Sequence, residues 1–170
     1  SDLLPVGTPR PKERFDVDGC FGIAMSRLQG VEAAETWPTL SHEVRMDLGR
    51  QLGESLAVLH SAEAPSEIER VDWDAWVTTR RAEVVEVQRK RGCPEPWLDE
   101  LPGLLASVTT TLQPAWLHTE VMLEHLLLQE TPAGWRLSGL FDFEPSWVAP
   151  ADYELASVGL FVARGESAVL

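Results

Sequence analysis

Trp116-Leu117-His118-Thr119-Glu120-Val121-Met122-Leu123-Glu124-His125-Leu126-Leu127-Leu128, followed by Gly139-Leu140-Phe141-Asp142-Phe143-Glu144, is where polar, chemistry-bearing side chains concentrate in this chain. Both clusters interrupt short apolar, strand-like pieces: Trp116-Leu117, Leu126-Leu127-Leu128, Trp135-Arg136-Leu137 and Leu140-Phe141. Pro132-Ala133-Gly134 supplies a turn between two of them. A hairpin built this way returns both clusters to one end of its sheet. Strand ends are where reactive side chains are commonly displayed. Between positions 118 and 170 there are eight acidic residues and only two bases, Arg136 and Arg164. Carboxylates so crowded repel one another unless a divalent cation neutralises them. A few hard oxygen ligands with open positions suit Mg²⁺ carrying a nucleotide phosphate. Taken singly, His118 and His125 read as ordinary core or surface histidines, and Asp142 and Glu144 as a turn and a cap. The hairpin that joins the two clusters is what points to a site.

Outward from this segment, the sequence reads as mostly helical. Ser41 caps a helix in which Val44, Leu48, Leu52, Leu56 and Leu59 recur at steps of four or three. A second helix runs from Asp72 to Arg91, stopped by Gly92 and Pro94, its Arg89-Lys90-Arg91 end read as solvated. A third covers Trp97, Leu98, Leu101, Leu104, Leu105 and Val108, and a last one begins near Ala151 and carries Leu155, Val158, Gly159 and Val162. Residues 1–30 read as a β-hairpin region, with an apolar run Leu3–Val6 and a turn signal at Asp18-Gly19 before Cys20–Met25. Of the seven tryptophans, Trp73, Trp76 and Trp97 lie on periodic apolar faces and read as core.

Composition narrows the function classes. The 170 residues are 44% hydrophobic and 24% charged, with a mean hydropathy of −0.10, which excludes disorder. Acidic residues outnumber basic ones 27 to 14, a net charge of −13. That argues against nucleic-acid binding, which needs clustered Lys and Arg, and favours a cationic small molecule or a metal. Cys20 and Cys93 form no C-x-x-C pair or disulfide framework, so a cytoplasmic location is expected. No apolar run is long enough to span a membrane, and no signal peptide is visible. The start on Ser1 and the stop within an apolar stretch at Leu170 suggest a fragment.

The order strand, H-x-[acid], polar ligand, strand, turn, strand, D-F-x resembles the catalytic and metal loops of protein kinases. More closely, it resembles the aminoglycoside phosphotransferase family of small-molecule kinases, with its H-G-D-L-x-x-x-N and I-D-[FW]-[EG] motifs. Asp152-Tyr153-Glu154-Leu155-Ala156 is similar to the family's following helix start, Phe21 to Gly30 to its hinge strand, and Gln51 to Pro65 to its first large-lobe helix. The resemblance implies an α+β, protein-kinase-like large lobe, mostly helical, with short β-hairpins around the two loops. Residues 1–30 would be the end of the small lobe and the hinge. Residues 31–170 would be the large lobe, with a catalytic loop at 118–128 and a metal loop at 139–144.

On this resemblance, His118 orders the catalytic loop, and Glu120 stands where the family has its catalytic Asp. His125 falls on the metal-binding Asn and Asp142 on the metal-binding Asp, both serving the nucleotide through the metal. Glu144, at the third position of the metal motif, is a further metal candidate. Glu154 replaces a helix Asp of mainly structural role. The implied activity is ATP- or GTP-dependent phosphorylation, with Mg²⁺ or Mn²⁺, of a hydroxyl on an aminoglycoside-like or other small cationic substrate, the chemistry of antibiotic resistance. Several letters depart from the pattern, and two of them bear on its chemistry. Glu120 is one methylene longer than Asp, displacing the carboxylate by about 1 Å. His125 is a softer ligand than Asn and favours Mn²⁺ or Zn²⁺. No glycine-rich phosphate loop and no strand lysine occurs, and Lys12 and Lys90 are the only lysines. A catalytically weak or inactive kinase-like binding module is therefore the alternative. A metal hydrolase or oxygenase on His118-x-Glu120 is disfavoured, because no H-E-x-x-H occurs and no histidine follows His125. The substrate and the oligomeric state are not legible in the sequence.

Overall fold

A computed structural model describes residues 3–107 and 113–169. The chain opens with an exposed antiparallel hairpin, β1 (Pro11–Val17) and β2 (Cys20–Met25). Its turn is built on Asp18 and Gly19, both with positive φ (53° and 78°), the backbone that matches the twist of a two-residue hairpin. Asp16 Oδ1 accepts from Gly19 N at 3.0 Å. The run Leu3–Val6 forms no strand; Leu4 is buried, and only Gly7 bridges to Gly139. A two-residue strand β3 (Val31–Glu32) leads into the short helix α1 (Ala33–Thr36).

Helix α2 (His42–Ser61) starts where Ser41 caps it, the hydroxyl accepting from Val44 N at 3.4 Å. Its Leu48, Leu52, Leu56 and Leu59 all lie buried. They meet Leu126 and Leu128 of β6 (Leu126–Thr131), Leu137 and Leu140 of β7 (Gly134–Leu140), and Val121 and Leu123 in one core cluster. β7 pairs with β6 and β6 with β3, all antiparallel. The β6–β7 hairpin expected from the sequence is therefore present, and α2 is the apolar slab on which it rests.

A second sheet was legible in sequence only in the strand-like piece Trp116-Leu117. β4 (Glu69–Arg70) pairs parallel with β8 (Trp147–Pro150), and β8 pairs antiparallel with β5 (Pro114–Leu117). Each strand has four residues or fewer, too short for an alternation signal. This sheet holds a small separate cluster of Ala115, Leu117 and Ala149, covered by Val71, Trp73 and Tyr153.

Helix α3 (Trp73–Lys90) is capped by Asp72, whose carboxylate accepts from Ala75 N at 3.1 Å. Arg89 and Lys90 at its end are exposed, as read from sequence, and Arg89 pairs with Glu95 at 2.8 Å. Helix α4 (Glu95–Ser107) follows; Val108, expected in it, lies outside the described residues. The core reading of the tryptophans is corrected here. No residue of α3 is fully buried, and Trp97 on α4 is 66% exposed. Trp73 and Trp76 instead stack on each other (centroids 4.9 Å apart) and meet the edge of Tyr153 at 5.7 and 5.6 Å. Periodicity marks an apolar face but not what covers it. The last helix, α5 (Asp152–Ser157), continues as a wider turn over Val158–Val162.

Because Leu52 joins α2 to the hairpin core at 2% exposure, Leu52→Ala is expected to cost about 3 kcal/mol of unfolding free energy. Urea titration followed by circular dichroism reads this directly, and a loss below about 1 kcal/mol would contradict the packing described.

Candidate active site

The two polar clusters do converge. Phe141 N donates to the His125 carbonyl at 3.2 Å where the β6–β7 hairpin opens, so the segment ending at His125 and the one beginning at Phe141 lie side by side. His118 leaves the end of β5 fully buried. Its Nε2 donates to the Phe141 carbonyl at 2.8 Å, and its ring packs edge-on against Phe143, centroids 4.5 Å apart. Burial pushes the His118 imidazole below its ordinary pKa, against the opposing pull of the Phe141 carbonyl and the Glu154 charge. A neutral ring with Nε2 protonated fits that environment. His118 therefore ties one loop to the other rather than facing solvent.

The backbone that follows is held by a buried carboxylate. Glu154, 0% exposed on α5, accepts from His118 N and from Thr119 N, each at 2.7 Å. His60 Nε2, from the end of α2, lies 3.4 Å from the same carboxylate. Thr119 sits at φ 73°, a costly backbone for a β-branched residue, where the resembled motif carries Gly. Its hydroxyl donates to the Pro145 carbonyl at 2.9 Å, adding a second tie that offsets the strain. The resemblance gives Glu154 only a structural part and singles out no role for His60. Contacts spanning 36 and 94 residues leave no local pattern from which they could be found.

Glu120 emerges from this clamp exposed. His125 Nδ1 donates to the Glu120 carbonyl at 2.8 Å, and His125 Nε2 faces Asp142 Oδ2 at 3.2 Å. Asp142, at φ 69°, is directed by the turn that ends β7. Glu120, His125 and Asp142 each offer one ligand atom, and these atoms lie within 4.8 Å of one another. Glu144 is exposed and stands outside this group. It lines, with Phe141, Asp142 and Phe143, a groove of about 570 Å³ whose other wall is Phe21, Ile23 and Met25 of β2, with Pro9 and Pro11. That volume and its apolar walls suit a small planar ligand. Carboxylate oxygens from two residues at the groove's end fit a divalent cation, and the imidazole adds a softer donor. Burial holds the Tyr153 phenol above its usual pKa, against the opposing pull of the Arg80 charge.

Residues 3–170 match the protein family described as the phosphotransferase enzyme family. Sequence comparison with curated proteins gave no match. By structure, the chain is similar to the GDP and kanamycin complex of an APH(2″) enzyme, with a TM-score of 0.79 at 20% identity, over 98% of this chain and 59% of that one. The streptomycin–ATP ternary complex of APH(2″)-IIa matches with a TM-score of 0.60 at 18% identity, over 89% and 53%. The macrolide 2′-phosphotransferase MphH from Brachybacterium faecium gives 0.65 at 18%, over 90% and 52%. At such identities the likeness is one of fold, the kinase-like fold expected from the sequence. The chain spans less than two thirds of each of these proteins.

Replacing Glu154 by Gln puts an amide N–H₂ against a backbone donor and weakens the His60 pair. A buried polar group deprived of its partner costs about 3 kcal/mol. Glu154→Gln is expected to lose that much stability by urea titration, whereas the exposed Glu144→Gln should stay within about 0.5 kcal/mol.

Proposed function

Because the chain belongs to the phosphotransferase enzyme family, matched over residues 3–170, we propose that it carries the acceptor and metal side of a small-molecule kinase. The reaction is transfer of the terminal phosphoryl group of ATP or GTP to a hydroxyl of a small cationic substrate of the aminoglycoside type, in the cytoplasm. The observation that carries this reading is the convergence of Glu120, His125 and Asp142 at the end of the groove between β2 and the metal loop. In it, residues 1–30 are the end of a small lobe and the hinge, and residues 31–170 are the large lobe.

Each residue then has a defined task. The apolar walls of Phe21, Ile23 and Met25 exclude water from a nucleotide base. Asp142 and His125 would hold the metal, and Glu144, exposed on the same loop but outside their group, would serve a second ion or its waters. A bound Mg²⁺ or Mn²⁺ neutralises phosphate charge, which is most of what phosphoryl transfer asks of its catalyst. Glu120 orients the substrate hydroxyl and accepts its proton at the carboxylate. His118 and Glu154 keep the backbone from which Glu120 projects in one place, since misplacement by about 1 Å can cost a hundredfold in rate. The net charge of −13 and the acids around the loops draw a cationic substrate inward.

The structural neighbours support the reading by what they hold: GDP with kanamycin in one, ATP with streptomycin in another. Incubation of the protein with ATP or GTP, Mg²⁺ and a panel of hydroxylated amines and macrolides should phosphorylate at least one member. Asp142→Ala should then lower kcat/KM at least about a hundredfold, the scale on which one preorganised electrostatic group acts. An unchanged rate would remove Asp142 from the mechanism. The second reading, a kinase-like module that binds without transfer, draws on the replacement of both family letters by Glu120 and His125. Nucleotide binding by calorimetry with no phosphorylation across the panel would favour it.

A further inference from the structure

His125 is held in the manner of a metal-ligating histidine. Its backbone N donates to the Met122 carbonyl at 3.0 Å, and its carbonyl accepts from Phe141 N at 3.2 Å, so both ends of the residue are pinned. Its Nδ1–H donates to the Glu120 carbonyl at 2.8 Å. That bond sets the ring's orientation and tautomer, the role outer partners play around ligating histidines. The lone pair of Nε2 is thereby left facing Asp142 Oδ2 at 3.2 Å. Two electron-rich atoms at that distance call for a cation between or beside them, a proton on Nε2 or a metal ion. The Glu120 carboxylate supplies a third donor within 4.8 Å of the other two.

We propose that Glu120, His125 and Asp142 form a three-ligand site for a first-row divalent transition ion, Zn²⁺ or Mn²⁺, which fills without nucleotide. It shares His125 and Asp142 with the phosphotransferase reading and rests on that reading only for the later use of the ion. The chemistry separates it from the Asn-and-Asp pair of the resembled kinases. An amide and one carboxylate are a hard, weak set that leaves Mg²⁺ to be held largely by phosphate oxygens and water. Imidazole with two carboxylates suits Mn²⁺ and Zn²⁺ and raises affinity in the order in which these ions bind nitrogen donors. The longer side chain of Glu120 is what brings a second carboxylate to the ion. With Asp at that position, the carboxylate would be drawn back by about 1 Å. The exposure of Glu120 leaves coordination positions open to water or to a phosphate oxygen. When Glu120 binds the ion, its carboxylate is withdrawn from an acceptor hydroxyl, so the ion present decides which task that residue performs.

The test is titration of chelator-treated protein with Zn²⁺, Mn²⁺ and Mg²⁺ by calorimetry, and with Mn²⁺ by electron paramagnetic resonance, all without nucleotide. One equivalent should bind, Zn²⁺ more tightly than Mn²⁺ and Mg²⁺ most weakly. Glu120→Gln should weaken Zn²⁺ and Mn²⁺ at least about tenfold, the least that loss of a metal-site partner costs. His125→Asn should weaken Zn²⁺ at least about tenfold and so narrow its margin over Mg²⁺. Thermal melts of the metal-free variants establish that each is folded. No saturable binding, equal affinity for Mg²⁺, or full affinity in folded Glu120→Gln would overturn the site. Nucleotide-free Zn²⁺ binding without phosphoryl transfer keeps this site and removes the proposed function. Transfer with Mg²⁺ and no nucleotide-free ion binding does the reverse.

Discussion

One buried carboxylate organises this molecule. Glu154 takes two backbone N–H groups from consecutive residues of the catalytic loop and pairs with His60 from the end of α2, with no exposure to solvent. A carboxylate in that position has desolvation to recover, and only a full set of partners makes its burial tolerable. Meeting that demand requires α2, the end of β5 and α5 to hold one mutual arrangement. The same contacts force Thr119 into its left-handed backbone and aim the next residue, Glu120, outward. The geometry of the exposed site thus follows from the needs of a group that no substrate would touch.

Around that point the fold divides its apolar surface in two. The larger core lies between the leucine stripe of α2 and the β6–β7 hairpin, which is the part that presents His125 and Asp142. The smaller lies over the short β4–β8–β5 sheet, roofed by Trp73 and Tyr153, with Trp76 and Trp147 stacked onto them. The acidic site sits where the two meet. Its charge is spread over groups of different exposure: His118 neutral and enclosed, His125 half-enclosed, Glu120 open. This gradient lets one set of side chains hold loops together while a neighbouring set remains free to bind.

The departures from the resembled family fall on both sides of the site, at the enclosed Glu154 and at the open Glu120. His118 and the apolar strands keep the pattern with their partners inside the protein, whereas Asp142 keeps it at the lining of the groove. Glu120 and His125 change, and together with the unchanged Asp142 they are the groups that would face an ion. Inward-facing residues are constrained by packing and by hydrogen bonds that must be satisfied.

Long periodic elements and the metal-loop hairpin were legible in the sequence, because a helix of this length repeats its apolar stripe several times and a strand-turn-strand needs only its own residues. Ser41 could be read as a cap for the same reason: its bond reaches three residues. The resemblance supplied His118, Glu120, His125 and Asp142 as candidates. What it could not supply was their grouping, which leaves Glu144 apart and places the Glu120 carboxylate beside His125 and Asp142. The pairing of the second sheet's strands, the aromatic stack in place of a tryptophan core, and the His60–Glu154 pair were decided only in three dimensions. Each depends on partners dozens of residues away, whose cost in chain entropy is met by burial that no local window of sequence contains.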